Sequence, residues 1–114
     1  MPGNIKRELK KIESRIYIIG REGHIYLNDP AASKRHAEIR ITNDEIYLRD
    51  LDSTNGIYLV KNQKFIRFME GYVQLNQTIV LGNRQYTIND LLEIAGAFAA
   101  WSGRPEILSP GPVN

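Results

Sequence analysis

Three short polar clusters interrupt a chain built mostly of alternating apolar runs: Gly20-Arg21, the Ser-Lys-Arg-His stretch from Ser33 to His36, and the Ser-Thr-Asn-Gly stretch from Ser53 to Gly56. Each stands at the end of a β-like run, where a loop would face solvent. If the loops share one edge, Arg21, Lys34 and Arg35 come together as cations with Ser33 and Thr54 as hydroxyl donors. Such a set suits a phosphate. Arginine offers a planar fork for two oxygens, lysine a compact charge, and hydroxyls and backbone N–H groups complete the donors. Asn55-Gly56 predicts a tight turn, because both residue types tolerate positive φ. A turn alone leaves the hydroxyls of Ser53 and Thr54 without a purpose.

Other chemistries fit less well. A hydrolase triad of Ser33, His36 and Asp52 can be written down. The chain nevertheless has neither a nucleophile-elbow motif nor a P-loop, and its only histidines, His24 and His36, are not spaced as helical metal ligands. It contains no cysteine, so thiolate metal sites, cysteine nucleophiles and disulfides are excluded. The expectation is a noncatalytic protein without metal or cofactor. A sequence pI near 9.0, with Arg67, Arg84 and several tyrosines that could stack on bases, raises nucleic-acid binding. The net charge of only +2 and the lack of a recognisable nucleic-acid module argue against it.

These loops need a frame. With 114 residues, 42% hydrophobic and 25% charged, the chain suffices for one domain with a real core. From Arg15 to Ile88 short β-like runs alternate with turn residues. Ala-Glu-Ile-Arg-Ile-Thr puts Ala37, Ile39 and Ile41 on one face, and the next run puts Ile46 and Leu48 inward, with Asn43-Asp44 as a hairpin turn between them. So many short strands predict a sandwich of two packed sheets. After Ile88 a helix is expected from about Leu91 to Trp101, with Asp90 and Glu93 as its capping box and Leu91, Ile94, Ala95, Phe98 and Trp101 on one face. The expected division is a flexible, basic N-terminal segment over residues 1–13, a β domain over 14–89, the helix over 90–102 and a disordered tail or linker over 103–114. No run approaches the length of a membrane span and no secretory leader is visible, so a cytoplasmic location is expected, with no membrane partner.

The ordered set of Gly20-Arg21, Ser33-x-x-His36 and Asp-Ser-Thr-Asn-Gly over Asp52–Gly56 resembles the forkhead-associated (FHA) domain. The later stretch from Gly71 to Asn83 is similar to the closing segment of that family. The resemblance covers roughly Ile16 to Ile88. It implies an all-β, FHA-like sandwich of about 11 strands whose loops at one end bind phosphothreonine in a partner protein, itself the product of a serine/threonine kinase. Carried over by position, Arg21 and Ser33 would contact the phosphate, Lys34 and Thr54 would add contacts, and Asn55 would bond the peptide main chain. His36 would brace the loops, and Gly20 and Gly56 would allow backbone turns that a side chain obstructs. Ala31 stands two residues before Ser33, where some members place a larger side chain. The runner-up function is a degenerate FHA fold that binds proteins independently of phosphate.

Overall fold

The computed structural model describes residues 14–96. Nine strands form two sheets among these residues: β1 (Ser14–Gly20), β2 (Ile25–Tyr26), β3 (Ala37–Thr42), β4 (Glu45–Asp50), β5 (Ile57–Lys61), β6 (Lys64–Phe68), β7 (Glu70–Val73), β8 (Thr78–Leu81) and β9 (Arg84–Thr87), followed by helix α1 (Ile88–Ile94). One sheet has the order β2-β1-β3-β4-β7 and the other β6-β5-β8-β9. All neighbours pair antiparallel except β1 and β2. The count is nine rather than about eleven. The run after His24 keeps only two paired residues: Leu27 still donates to Gly20, and Asp29 then folds the chain into a turn through the Ala31 and Ala32 N–H groups.

The period-two pattern explains how the sheets meet. Ala37, Ile39 and Ile41 of β3 and Ile46 and Leu48 of β4 are buried as their alternation requires. They face Ile57, Ile79 and Leu81 from the second sheet in one core cluster. Two-residue turns set the registers. Asn43 and Asp44 both take positive φ between the paired Thr42 and Glu45, and Asn62 and Gln63 do the same between Lys61 and Lys64. That double left-handed turn matches the twist of the flanking strands.

Helix α1 starts three residues earlier than the expected Leu91 and is not capped by Asp90 and Glu93. Thr87, the last residue of β9, is the N-cap: its hydroxyl accepts the Asp90 N–H at 3.0 Å, while the Asp90 carboxylate accepts the Thr87 N–H at 2.9 Å. This capping box uses Asp90 at its far end rather than at its beginning. The buried stripe is therefore Ile88, Leu91 and Leu92, and Ile94, expected inside, is 49% exposed. Gly96 takes φ 68° just after the helix, which closes α1 at Ile94. Phe98, Trp101, the basic segment over 1–13 and the tail over 103–114 lie outside the described residues. No helix among the described residues is long and apolar enough to cross a membrane.

Candidate functional site

The strand registers gather the three polar clusters at one end of the sandwich. Ile19 pairs with Ala37, and Ala37 with Asp50, so the ends of β1 and β4 and the start of β3 lie side by side. In the other sheet Ile57 pairs with both Phe68 and Leu81. The segment from Leu51 to Gly56 crosses from β4 to β5, that is, from one sheet to the other. It is consequently no hairpin, and Asn55 does not use the left-handed region expected of it; Asp52 (φ 57°) and Gly56 (φ 78°) do.

His36 joins the loops. Its side chain is fully buried. Nδ1 accepts the Ser33 N–H at 3.0 Å and Nε2 lies 2.8 Å from the Gly56 carbonyl oxygen. A nitrogen that accepts from an amide carries no hydrogen, so the ring proton is on Nε2 and is donated to Gly56. The His36 main chain adds two more ties: its N–H donates to Ile19 at 2.7 Å and its carbonyl accepts from Leu51 at 2.9 Å. The ring is thus committed to backbone groups at both nitrogens. Ser33 Oγ instead accepts the Thr54 N–H at 3.1 Å, so the Ser33, His36 and Asp52 hydrolase arrangement is not assembled.

The cation comes from the first loop. Arg21 N–H donates to the Ser33 carbonyl at 3.2 Å, and Arg21 Nε donates to the Ala32 carbonyl at 2.7 Å. Nε is held in place while the two terminal nitrogens stay available, and no carboxylate pairs with Arg21 among the described residues. Gly20 makes this approach possible. A Cβ there would sit 2.3 Å from the Lys34 carbonyl oxygen and 2.7 Å from that of Ser33, well inside van der Waals contact. Lys34 is exposed and only loosely opposed by Glu22 at 3.9 Å.

Arg21, Ser33, Lys34, Thr54 and Asn55 all line one open depression of about 320 Å³, together with Pro30, Ala31 and Ala32. The third cation named from the sequence, Arg35, is exposed and does not line it. Asn55 Nδ2 donates to the Ala31 carbonyl at 2.9 Å, which ties the crossing loop to the loop before Ser33 and leaves the amide oxygen available. A larger hollow of about 610 Å³ at the opposite end is lined by Asp44, Glu45, Tyr72 and other residues without a cation. Its charge is wrong for an anion, and the smaller depression has the donors.

Two supporting carboxylates escaped the sequence reading. Asp29, buried at 3% exposure, accepts the Ala31 N–H at 2.9 Å and, across the sandwich, the Asn83 N–H at 2.7 Å. The bond from the Asn83 amide holds its carboxyl below the ordinary value of 3.8, against the opposing effect of burial, with the Ala31 amide and the charge of Arg84 helping. Asp50 accepts both the N–H and the hydroxyl of Ser53, and the Ser53 oxygen in turn accepts the Gly56 N–H at 2.9 Å. The Ser53 hydroxyl is therefore spent on shaping the loop, and Thr54 is the one that faces the depression. The only sequence signal for Asp29 is its place before Pro30, where an aspartate folds a turn onto its own backbone.

The FHA domain family model matches residues 17–82. Among solved structures, the chain is similar to an FHA domain studied for phosphothreonine-dependent interactions (31% identity, TM-score 0.57, covering 63% of this chain and 73% of that one). It is similar also to the FhaA FHA domain complexed with the intracellular domain of Rv3910 (31%, 0.56, 66% and 80%). A third is Mycobacterium tuberculosis EmbR in complex with a low-affinity phosphopeptide (26%, 0.54, 63% and 19%). No curated protein matches the chain. With the family model spanning more than half of its length and a two-sheet sandwich beneath the motifs, this chain belongs to the FHA domain family.

Proposed function

We propose that this protein is a phosphothreonine-dependent interaction module that acts as a signalling adaptor, docking a partner after a serine/threonine kinase has modified it. The observation that carries this reading is the convergence of Arg21, Ser33, Lys34, Thr54 and Asn55 on one depression, with no carboxylate pairing Arg21 among the described residues. Arg21 would grip two phosphate oxygens through its terminal nitrogens, since Nε is already anchored on Ala32. The Ser33 oxygen accepts from Thr54, so its O–H remains to be donated to a third phosphate oxygen. Lys34 and the Thr54 hydroxyl would add charge and a further donor. The Asn55 amide oxygen would accept from the peptide main chain. His36, Gly20 and Gly56 would support the site without touching the peptide. The preference for threonine rests on the relatives, one of which is described by phosphothreonine-dependent interactions.

A phosphate brings about −1.5 to −2 charges at neutral pH. A charge-assisted hydrogen bond to it is worth about 1.5–3 kcal/mol, so Arg21→Ala should weaken phosphopeptide binding about 10- to 150-fold. Calorimetric titration with phosphothreonine, phosphoserine and unphosphorylated peptide libraries tests this. Binding confined to the phosphothreonine pool and lost in Arg21→Ala is the expected result. Equal binding in all three pools would instead mark a module that binds independently of phosphate.

A further inference from the structure

Beside the depression lies a cation that neither the fold nor the proposed phosphate contacts use. Arg67 follows Lys61 and Lys64 along the β5–β6 hairpin, three cations between Asp52 and Glu70. Arg67 stands on β6, an edge strand, opposite Tyr58 of β5. Its guanidinium lies near two groups, the Tyr58 ring and the backbone of Gly56. The carbon at its centre is 5.7 Å from the centroid of the Tyr58 ring. On the other side it occupies the space a side chain at Gly56 would need: a Cβ there would come within 2.7 Å of Cζ and Nε and 2.9 Å of Nη2. Gly56 directly follows Asn55, which lines the depression. Arg67 is exposed and has no carboxylate partner among the described residues.

We propose that the Arg67 guanidinium is a second anion-binding point at the rim of the loop site, taking an aspartate or glutamate side chain of the same peptide whose phosphate fills the depression. The proposal rests on the phosphopeptide reading above and narrows it to phosphothreonine segments with an acidic residue nearby. Three properties support it. The group is planar and forked, matching a carboxylate. Its position over the Tyr58 ring and beside the bare backbone of Gly56 brings it next to Asn55, which lines the depression. It is exposed and forms no ion pair with a carboxylate among the described residues, so it is free to take one from a partner.

A phosphothreonine peptide would be scanned with Glu and then Gln at each of about five positions on either side of the phosphothreonine, a range that an extended chain covers at about 3.3–3.6 Å per residue. The wild type should prefer Glu to Gln by about 3- to 10-fold at one or two positions. Arg67→Gln should abolish that preference while leaving the Gln-peptide affinity and the need for phosphate intact. Arg67→Lys, which keeps the charge and loses the fork, should retain part of it. Because the readout is a ratio, a general loss of folding would not mimic the effect. Raising the salt should shrink the ratio. A wild type indifferent to Glu, or an Arg67→Gln variant with the wild-type ratio, would overturn the proposal while phosphate dependence stood. If the wild type bound no phosphopeptide better than its unphosphorylated form, the phosphopeptide reading itself would fail, and the proposal with it.

Discussion

Replacing His36 with alanine should destabilise the fold as well as disorder the loops, and the size of the loss follows from its contacts. The imidazole is fully buried and satisfies the Ser33 N–H at 3.0 Å and the Gly56 carbonyl at 2.8 Å. Alanine would leave a cavity and two backbone groups without partners. Each such group costs about 1–3 kcal/mol, so the change should remove about 2–6 kcal/mol, a large fraction of the 5–15 kcal/mol typical of a domain. At a urea slope of about 1–1.5 kcal/mol per molar, a loss near the middle of that range, about 3–4 kcal/mol, would lower the unfolding midpoint by about 2–4 M with the slope unchanged. Arg21→Ala is the matched control. Its side chain makes one bond, to the Ala32 carbonyl, and is exposed, so about 1 kcal/mol is expected. A His36→Ala midpoint within about 0.5 M of wild type would show that water or loop rearrangement replaces both bonds, and the bracing role assigned to this ring would be wrong.

Other substitutions separate the site from its supports. Thr54→Ala removes one neutral hydroxyl at the depression and should weaken phosphopeptide binding only about 2- to 10-fold by calorimetry, with the unfolding midpoint unmoved. Gly20→Ala drives a Cβ toward the Lys34 carbonyl and should cost about 1–3 kcal/mol in urea unfolding while also weakening binding, because the Arg21 and Ser33 backbones must part. Asp29→Asn should be less stable than wild type near neutral pH. The folded carboxyl lies below 3.8, so its contribution is fully present above 3.8 and is lost as the pH falls through the lower folded value. The stability gap between wild type and Asp29→Asn should therefore narrow only below about pH 3.8, and a gap constant down to pH 2 would count against the buried carboxylate as the tie between the two sheets.

The parts of this molecule that a sequence shows best are those where one residue type has one physical reason to be present. The alternation in β3 and β4 could bury only one face, and Ala37, Ile39, Ile41, Ile46 and Leu48 duly line the core. Asn43-Asp44 had to turn, because two successive positive φ values suit few other residues. The five candidate contacts met in one depression because each lies at a strand end and the antiparallel registers put those ends together. Ambiguity entered where two residues could serve the same purpose. Asp90 could open a helix or close a capping box, and Thr87, hidden at the end of a strand pattern, decided for the second. Gln63, a poor residue for positive φ, turns a hairpin because the β5–β6 pairing overrides its preference.

Asp29 and Arg67 mark a deeper limit, since neither belongs to a local pattern. Asp29 matters because Asn83, 54 positions away, offers its amide across the sandwich. Arg67 matters because Gly56 lacks a side chain and Tyr58 stands opposite on the next strand. In the sequence each is a lone charge, and a lone surface charge is worth little by itself. Packing of one sheet on the other turns the first into a clamp beneath the loops, while the β5–β6 register places the second at their rim. The consequence is a division within the domain. On the proposed reading, the loop motifs would hold the phosphate, while residues outside them, on the edge of the second sheet, would be where selectivity among partners could vary without disturbing the buried His36 bridge.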